Sequence, residues 1–312
     1  MSKLLSTITT LAAGFLVVVA TTHAQGIGGQ PTNLVISDQF PEPGSQVEAT
    51  LRNQPTSPNI VWRINGQVDS SHNNQRTINF TAGSAGSTNL IQVYSGERLL
   101  AEQSITPMYV DIIVEADTYV PDFYHGRALP SVGAPLRLTA LVDDGANNPI
   151  NHYIYTWQID DQRLDGGPVR GNYQTTTTAP NRRAVTVTLE LSRPGMSNTI
   201  RRSISVPIAT PTVHFYTVSS LYGVQPRSLR NQTTLTGNSL TLRAEPFYIA
   251  NNIVSSQTGV SWSINNRPLA VDIANPYTAI IQRQDRPGTP VEFSLQHPTD
   301  VTQRVSGNLI VN

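Results

Sequence analysis

After His23 the histidines are His72, His125, His152, His214 and His297, and they stand singly, with no HExxH string and no close pair. A zinc site needs three or four ligands at one point, which here would have to converge from distant segments. No metal and no cofactor is therefore expected. Ala82-Gly83-Ser84-Ala85-Gly86 imitates a nucleophile elbow, but alanine stands where the first glycine belongs. It also lies between two expected strands rather than between a strand and a helix, so it reads as a loop. Asp143-Asp144-Gly145 and Asp160-Asp161 are acidic pairs at turn positions. Calcium needs six or more oxygens in one place, and ordinary turns explain both pairs. No Gly-rich string follows a strand and opens a helix, so nucleotide binding has no support. Lys3 is the only lysine and there is no cysteine. That excludes Schiff-base and lysine-nucleophile chemistry beyond the first residues, Lys–Asn isopeptide links, and a lipid anchor through an N-terminal cysteine. No acid–base pair or nucleophile constellation assembles locally, so a non-catalytic protein is expected.

Aromatic side chains are the other candidates. Tyr119, Phe123 and Tyr124 crowd one stretch, and Tyr216 and Tyr222 lie in a later one. Both stretches continue with glycine, arginine and leucine: Gly126-Arg127 and Leu129 in the first, Gly223, Arg227 and Leu229 in the second. Two readings stand beside each other for Tyr119, Phe123, Tyr124 and Tyr222. They form an exposed surface for sugar rings or a protein partner, or they pack on a neighbouring domain.

The elements that hold these residues follow from three tryptophans. Val61-Trp62-Arg63-Ile64-Asn65-Gly66, Thr156-Trp157-Gln158-Ile159-Asp160-Asp161 and Ser261-Trp262-Ser263-Ile264-Asn265-Asn266 are near-copies. They lie roughly 100 residues apart, a domain-sized period rather than the about 20–50 of a solenoid. Upstream, Gly44, Gly133 and Gly237 each open an alternation: Val47, Ala49, Leu51; Leu136, Leu138, Ala140; Leu240, Leu242, Ala244. Period two marks a half-buried strand. The pairs after each Trp-x-Ile string are turn residues that tolerate positive φ. Glycine, strand, Trp strand, tight turn is the order of strands B, C and C′ in an immunoglobulin-type sandwich, whose C-strand Trp fills the space between the sheets. The expected fold is all-β: three tandem immunoglobulin/PKD-like Greek-key sandwiches, with Trp62, Trp157 and Trp262 as structural core.

Composition narrows the setting. The 21 basic and 21 acidic residues balance, and no basic run offers an electrostatic footprint for nucleic acid or anionic lipid. Residues 1–24 read as a secretory signal peptide, with Lys3 before an apolar run from Leu11 to Ala20 and small residues at Thr22-His23-Ala24. No later segment approaches the ~18 apolar residues of a transmembrane helix. The expected organisation is a leader at 1–24, a linker at 25–31, and sandwiches at 32–107, 108–208 and 209–312. Both joints between sandwiches are short and carry proline, so a semi-rigid rod is expected. The aromatic stretch is present only in the two sandwiches that have a predecessor. Tyr124 and Tyr222 are therefore expected to pack back on the preceding sandwich.

These repeats resemble PKD and immunoglobulin-like repeat proteins exported by bacteria. The stretch from Glu115 through Tyr119, Phe123 and Tyr124 to Pro130 is similar to strings in a family of exported Ig-like proteins of small-genome bacteria. So are Leu221-Tyr222-Gly223 and Ala244-Glu245-Pro246-Phe247. The resemblance implies export and tandem sandwiches, and transfers no catalytic residue. The chain lacks the calcium-ligand strings of cadherin linkers. The expected function is a non-catalytic structural or adhesive rod of the cell envelope, located at the cell surface, in the periplasm or outside the cell, with a protein or glycan of the envelope as partner. The alternative is a carbohydrate-binding protein that uses the exposed aromatics.

Overall fold

The computed structural model describes residues 33–53, 59–147, 149–196, 198–283 and 287–312. The expected leader 1–24 and linker 25–31 lie outside the described residues. The chain divides into two compact units. One holds Val47–Phe80 and Leu90–Ser104 with the strand before them. The other holds Asp38–Gln46, Thr81–Asn89 and Ile105–Asn312.

The protein is a tandem of β-sandwiches. The first is built from β1 (Asn33–Ile36), β2 (Gln46–Arg52), β3 (Ile60–Ile64), β4 (Gln67–Asp69), β5 (Thr77–Thr81), β6 (Asn89–Ser95) and β7 (Arg98–Ile105). They form sheets in the orders β1-β2-β5 and β4-β3-β6-β7, so the chain crosses between sheets as a Greek key does. The second repeats this plan with β8 (Tyr109–Ala116), β9 (Pro135–Asp143), β10 (Ile154–Ile159), β11 (Gln162–Arg163), β12 (Val169–Arg170), β13 (Gln174–Thr178), β14 (Ala184–Ser192) and β15 (Ile200–Pro207). Its sheets are β13-β9-β8 and β11-β10-β14-β15, with β12 also on β10.

The third contains β16 (Thr212–Ser219), β17 (Gly223–Val224), β18 (Gln232–Thr233), β19 (Ser239–Phe247), β20 (Val260–Ile264), β21 (Arg267–Pro268), β22 (Thr278–Gln282), β23 (Thr289–Gln296) and β24 (Arg304–Val311). Its sheets are β17-β16-β19-β22 and β18-β24-β23-β20-β21. In strand letters, β16, β19 and β20 are A, B and C. Two features were not anticipated. β18 runs parallel to the end of β24. A single-turn helix, α1 (Asn251–Ser256), sits between B and C.

The repeat is carried by hydrogen bonds as well as by burial. Trp62, Trp157 and Trp262 are all buried. Their indole N–H groups donate to the backbone oxygens of Gln75 (2.9 Å), Asn172 (2.9 Å) and Pro276 (2.8 Å). The next residue in each case accepts a backbone bond from strand B: Leu51 to Arg76, Ala140 to Tyr173 and Ala244 to Tyr277. One tryptophan thus ties strand C to the residues that lead into β5, β13 or β22, and those residues are tied in turn to strand B. At the C–C′ turn, Asn65, Asp160 and Asn265 all have positive φ. Asn65 and Asp160 accept through their side chains from the N–H of Leu90 and Thr186. Pro290, which accepts from the Asn265 N–H at the matching place, has no N–H to give. Gly44 and Gly133 occupy the left-handed region, at φ +75° and +81°. Gly237 is not among the positive-φ glycines, so only the first two turns need glycine for its backbone.

Candidate functional site

The connection between β8 and β9 begins with an antiparallel bridge to the third sandwich, Thr118 opposite Ala250, within the larger compact unit. Tyr119 N–H donates to Ile249 O (2.7 Å), and Tyr248 N–H donates to Tyr119 O (2.8 Å). Asn251 clasps Asp117 twice, N–H to backbone oxygen at 3.2 Å and Nδ2 to Oδ1 at 2.7 Å. Tyr248 holds φ +63°, a strained value for an aromatic residue, and this presents its N–H to Tyr119.

The aromatic side chains then lie across the outer face of β16 and β19. Phe123 meets Tyr216 edge-on, with ring centroids 5.2 Å apart and planes at 66°. Tyr124 meets Phe247 at 5.3 Å and 88°. The Tyr124 and Tyr248 hydroxyls are hydrogen-bonded at 2.9 Å. Tyr119 Oη donates to Glu245 Oε2 at 3.1 Å, and Arg243 Nε donates to Glu245 Oε1. Glu245 is only 4% exposed, so its carboxylate depends on these two partners. Burial first, and then the Glu245 charge, hold the Tyr119 phenol well above its ordinary pKa. The bond to Tyr124 is the main cause raising Tyr248 to about 12.

A second contact lies deeper in the joint. Gln303 Nε2 donates to Ser131 Oγ (3.1 Å) and to Val132 O, while Gln303 Oε1 accepts from Ala250 N–H (2.9 Å). Ser131 and Gln303 are buried, and Ala134 joins the apolar core of the third sandwich.

The direction of this packing corrects one expectation. Tyr124 packs forward, on the sandwich that follows it, not back on the one before. The reason is topological. Strand A enters a sandwich at the end nearest its predecessor, so the A–B connection emerges at the opposite end, beside the next sandwich. Phe40, in the first A–B connection, likewise packs on the core of the second sandwich. Tyr222 packs on no other sandwich among the described residues. It is 81% exposed, beside Leu221 at 83%.

Among the described residues no group of three or more His, Asp or Glu is placed to hold a metal. A Ser–His–Asp trio escaped the sequence reading. Asp69 accepts from Ser71 Oγ at 2.5 Å, and His72 Nδ1 lies 2.6 Å from Asp69 Oδ2 and 3.0 Å from Ser71 Oγ. Serine and aspartate meet the same ring nitrogen, whereas a nucleophile relay needs them on opposite nitrogens. Asp69 also caps the following turn through Ser71 N–H, so the trio is a turn clasp. Glu245, Arg243, Tyr248 and Gln303 were likewise not singled out as joint residues. Glu245 alone carried a signal, a charge in a resembling string.

No protein-family profile and no curated protein matches this chain. It is similar in structure to the three N-terminal domains of the bacteriophage RB49 outer capsid protein Hoc, at 10% identity and TM-score 0.26, covering 90% of this chain and 98% of that one. It is also similar to the mouse nectin-like molecule 4 ectodomain, at 11% identity and TM-score 0.26, covering 87% and 95%. A third similar structure is that of the Clostridium thermocellum CbhA fibronectin(III)-like modules, at 11% identity and TM-score 0.24, covering 56% and 94%.

Proposed function

We propose that the chain is an exported, non-catalytic protein of the cell envelope with a structural or adhesive role, built from sandwiches at 32–107, 108–208 and 209–312. The observation that carries this reading is the joint between the second and third sandwiches. Backbone pairing, a buried carboxylate with two partners and four edge-packed rings hold those two domains together. Such a joint suits a spacer that must transmit force or hold a binding end at a fixed place. It does not suit a hinge that closes on a substrate.

The glycan reading gains less support. A sugar ring stacks on a flat aromatic face, and Phe123 and Tyr124 each use part of their rings in edge contacts, at 66° and 88°. Tyr119, Phe123 and Tyr124 contribute to the joint, although Phe123 and Tyr124 stay 40% and 36% exposed, and Tyr222, at 81%, is the most open aromatic among the described residues. Fractionation of the source cells, together with a glycan array probed with the purified chain, tests the proposal. The expected result is an envelope or extracellular location and a silent array. A cytoplasmic location, or a glycan hit abolished by Tyr222→Ser, would overturn it.

A further inference from the structure

The second and third sandwiches carry the same two surfaces, and in each only one of them is matched. Counting from Gly133 and Gly237, Leu141 occupies the place of Glu245, and Asp143 that of Phe247. Strand A follows suit: Asp111 pairs with Leu141 as His214 pairs with Glu245, which sets Tyr109 and Ile113 in the places of Thr212 and Tyr216. On the third sandwich this outer face lies under Tyr119, Phe123 and Tyr124. On the second it is open, with Tyr109, Ile113 and Leu141 exposed by 37%, 38% and 40% around Asp111.

The A–B connections show the converse. That of the second sandwich is seated, and that of the third projects Leu221 and Tyr222. The projection is a defined hairpin. Ser219 Oγ accepts from the N–H groups of Leu221 (3.2 Å) and Tyr222 (3.3 Å), and Gly223 at φ +70° returns the chain to pair with Ser219. Charge agrees with shape. Asp111 stands within the open face, between Tyr109 and Ile113 and beside Leu141, and accepts from Tyr109 Oη at 3.3 Å; Asp143 lies beside Tyr109. Neither carboxylate forms a salt bridge among the described residues. Arg227 and Arg230 follow the hairpin, and residues 219–238 contain no acid.

We propose that these two surfaces pair between two copies of the chain: Leu221 and Tyr222 of one copy dock on the Tyr109, Ile113 and Leu141 face of the other. The contact repeats, between molecules, the seating of an aromatic A–B connection on an outer A–B face that already occurs within the molecule. An ordered tip loses little freedom on docking, and tyrosine is among the best anchors for such a contact. If the pairing is reciprocal, a closed two-fold dimer makes the contact twice.

The absence of cysteine from the chain gives a direct test. Full-length Tyr222→Cys and Leu141→Cys variants are mixed and oxidised. The expected product is a cross-link between the two variants, formed in preference to either homodimer. In parallel, sedimentation velocity of the native chain should show a concentration-dependent dimer. Tyr222→Ser and Ile113→Ser should each weaken it by about tenfold or more. Both positions are exposed, so unchanged melting curves separate lost docking from lost folding. A native chain that stays monomeric at its solubility limit overturns the proposal. So do cross-links that form equally in all combinations, and so does a monomer whose Tyr222 is taken up by a different protein.

Discussion

Glu245 decides the chemistry of the joint. A buried carboxylate with its partners in place costs little net energy, and one left alone costs much. Arg243→Ala should therefore destabilise the third sandwich by about 3 kcal/mol or more in denaturant melts. Tyr119→Phe, which removes one hydrogen bond and leaves the ion pair, should cost about 1–2 kcal/mol. The reverse order would show that the phenol, not the guanidinium, holds the charge. Tyr119 and Tyr248 also make the joint alkali-sensitive. Both phenols are raised above 10.0 in the fold, so their neutral forms are favoured there. Their contribution is complete below pH 10 and is lost as the pH climbs through about 12 for Tyr248. A small-angle scattering titration should find the particle unchanged below that window and looser within it. Phe123, Tyr124 and Tyr119 were visible in the sequence as an aromatic cluster, because composition alone marks them. Their partner was not, because a connection's neighbour is set by which end of the sandwich it leaves from.

At the level of elements, the tryptophan strand was legible and its surroundings were less so. Trp62, Trp157 and Trp262 recur with an Ile at i+2 and a turn pair after it, a pattern that suits strand C of a sandwich. Trp157→Ala should cost about 3–5 kcal/mol, because it opens a cavity and frees the Asn172 carbonyl at once. A melt no lower than that of the native chain would remove the tryptophan from the centre of the account. Helix α1 and the parallel strand β18 had no such signature. α1 is six residues long, too short for helical periodicity to register, and β18 is two residues paired to the far end of the chain. Gly133 joins element to joint. It holds φ +81°, and a Cβ there would stand 2.5 Å from Thr302 Oγ1. Gly133→Ala should cost about 1–3 kcal/mol through backbone strain. It should also loosen the Gln303 contact, as read from amide exchange at Ala250.

For the molecule as a whole, the central claim is that the second and third sandwiches move as one body held by the aromatic connection. The repeat made three sandwiches readable from sequence. Short proline-bearing joints suggested stiffness, and the contacts of Asp117, Tyr119, Tyr124 and Gln303 across the joint give a second ground for expecting it. The most direct measurement is a spin-label distance distribution across this joint. With no native cysteine to compete, labels can be placed at Thr176→Cys on β13 and Ser261→Cys on β20, both exposed. The account predicts one narrow distance in the otherwise native chain, broadened when Tyr119→Phe and Tyr124→Ser are combined. A broad distribution in the native background, or a narrow one that the double substitution leaves unchanged, would contradict it.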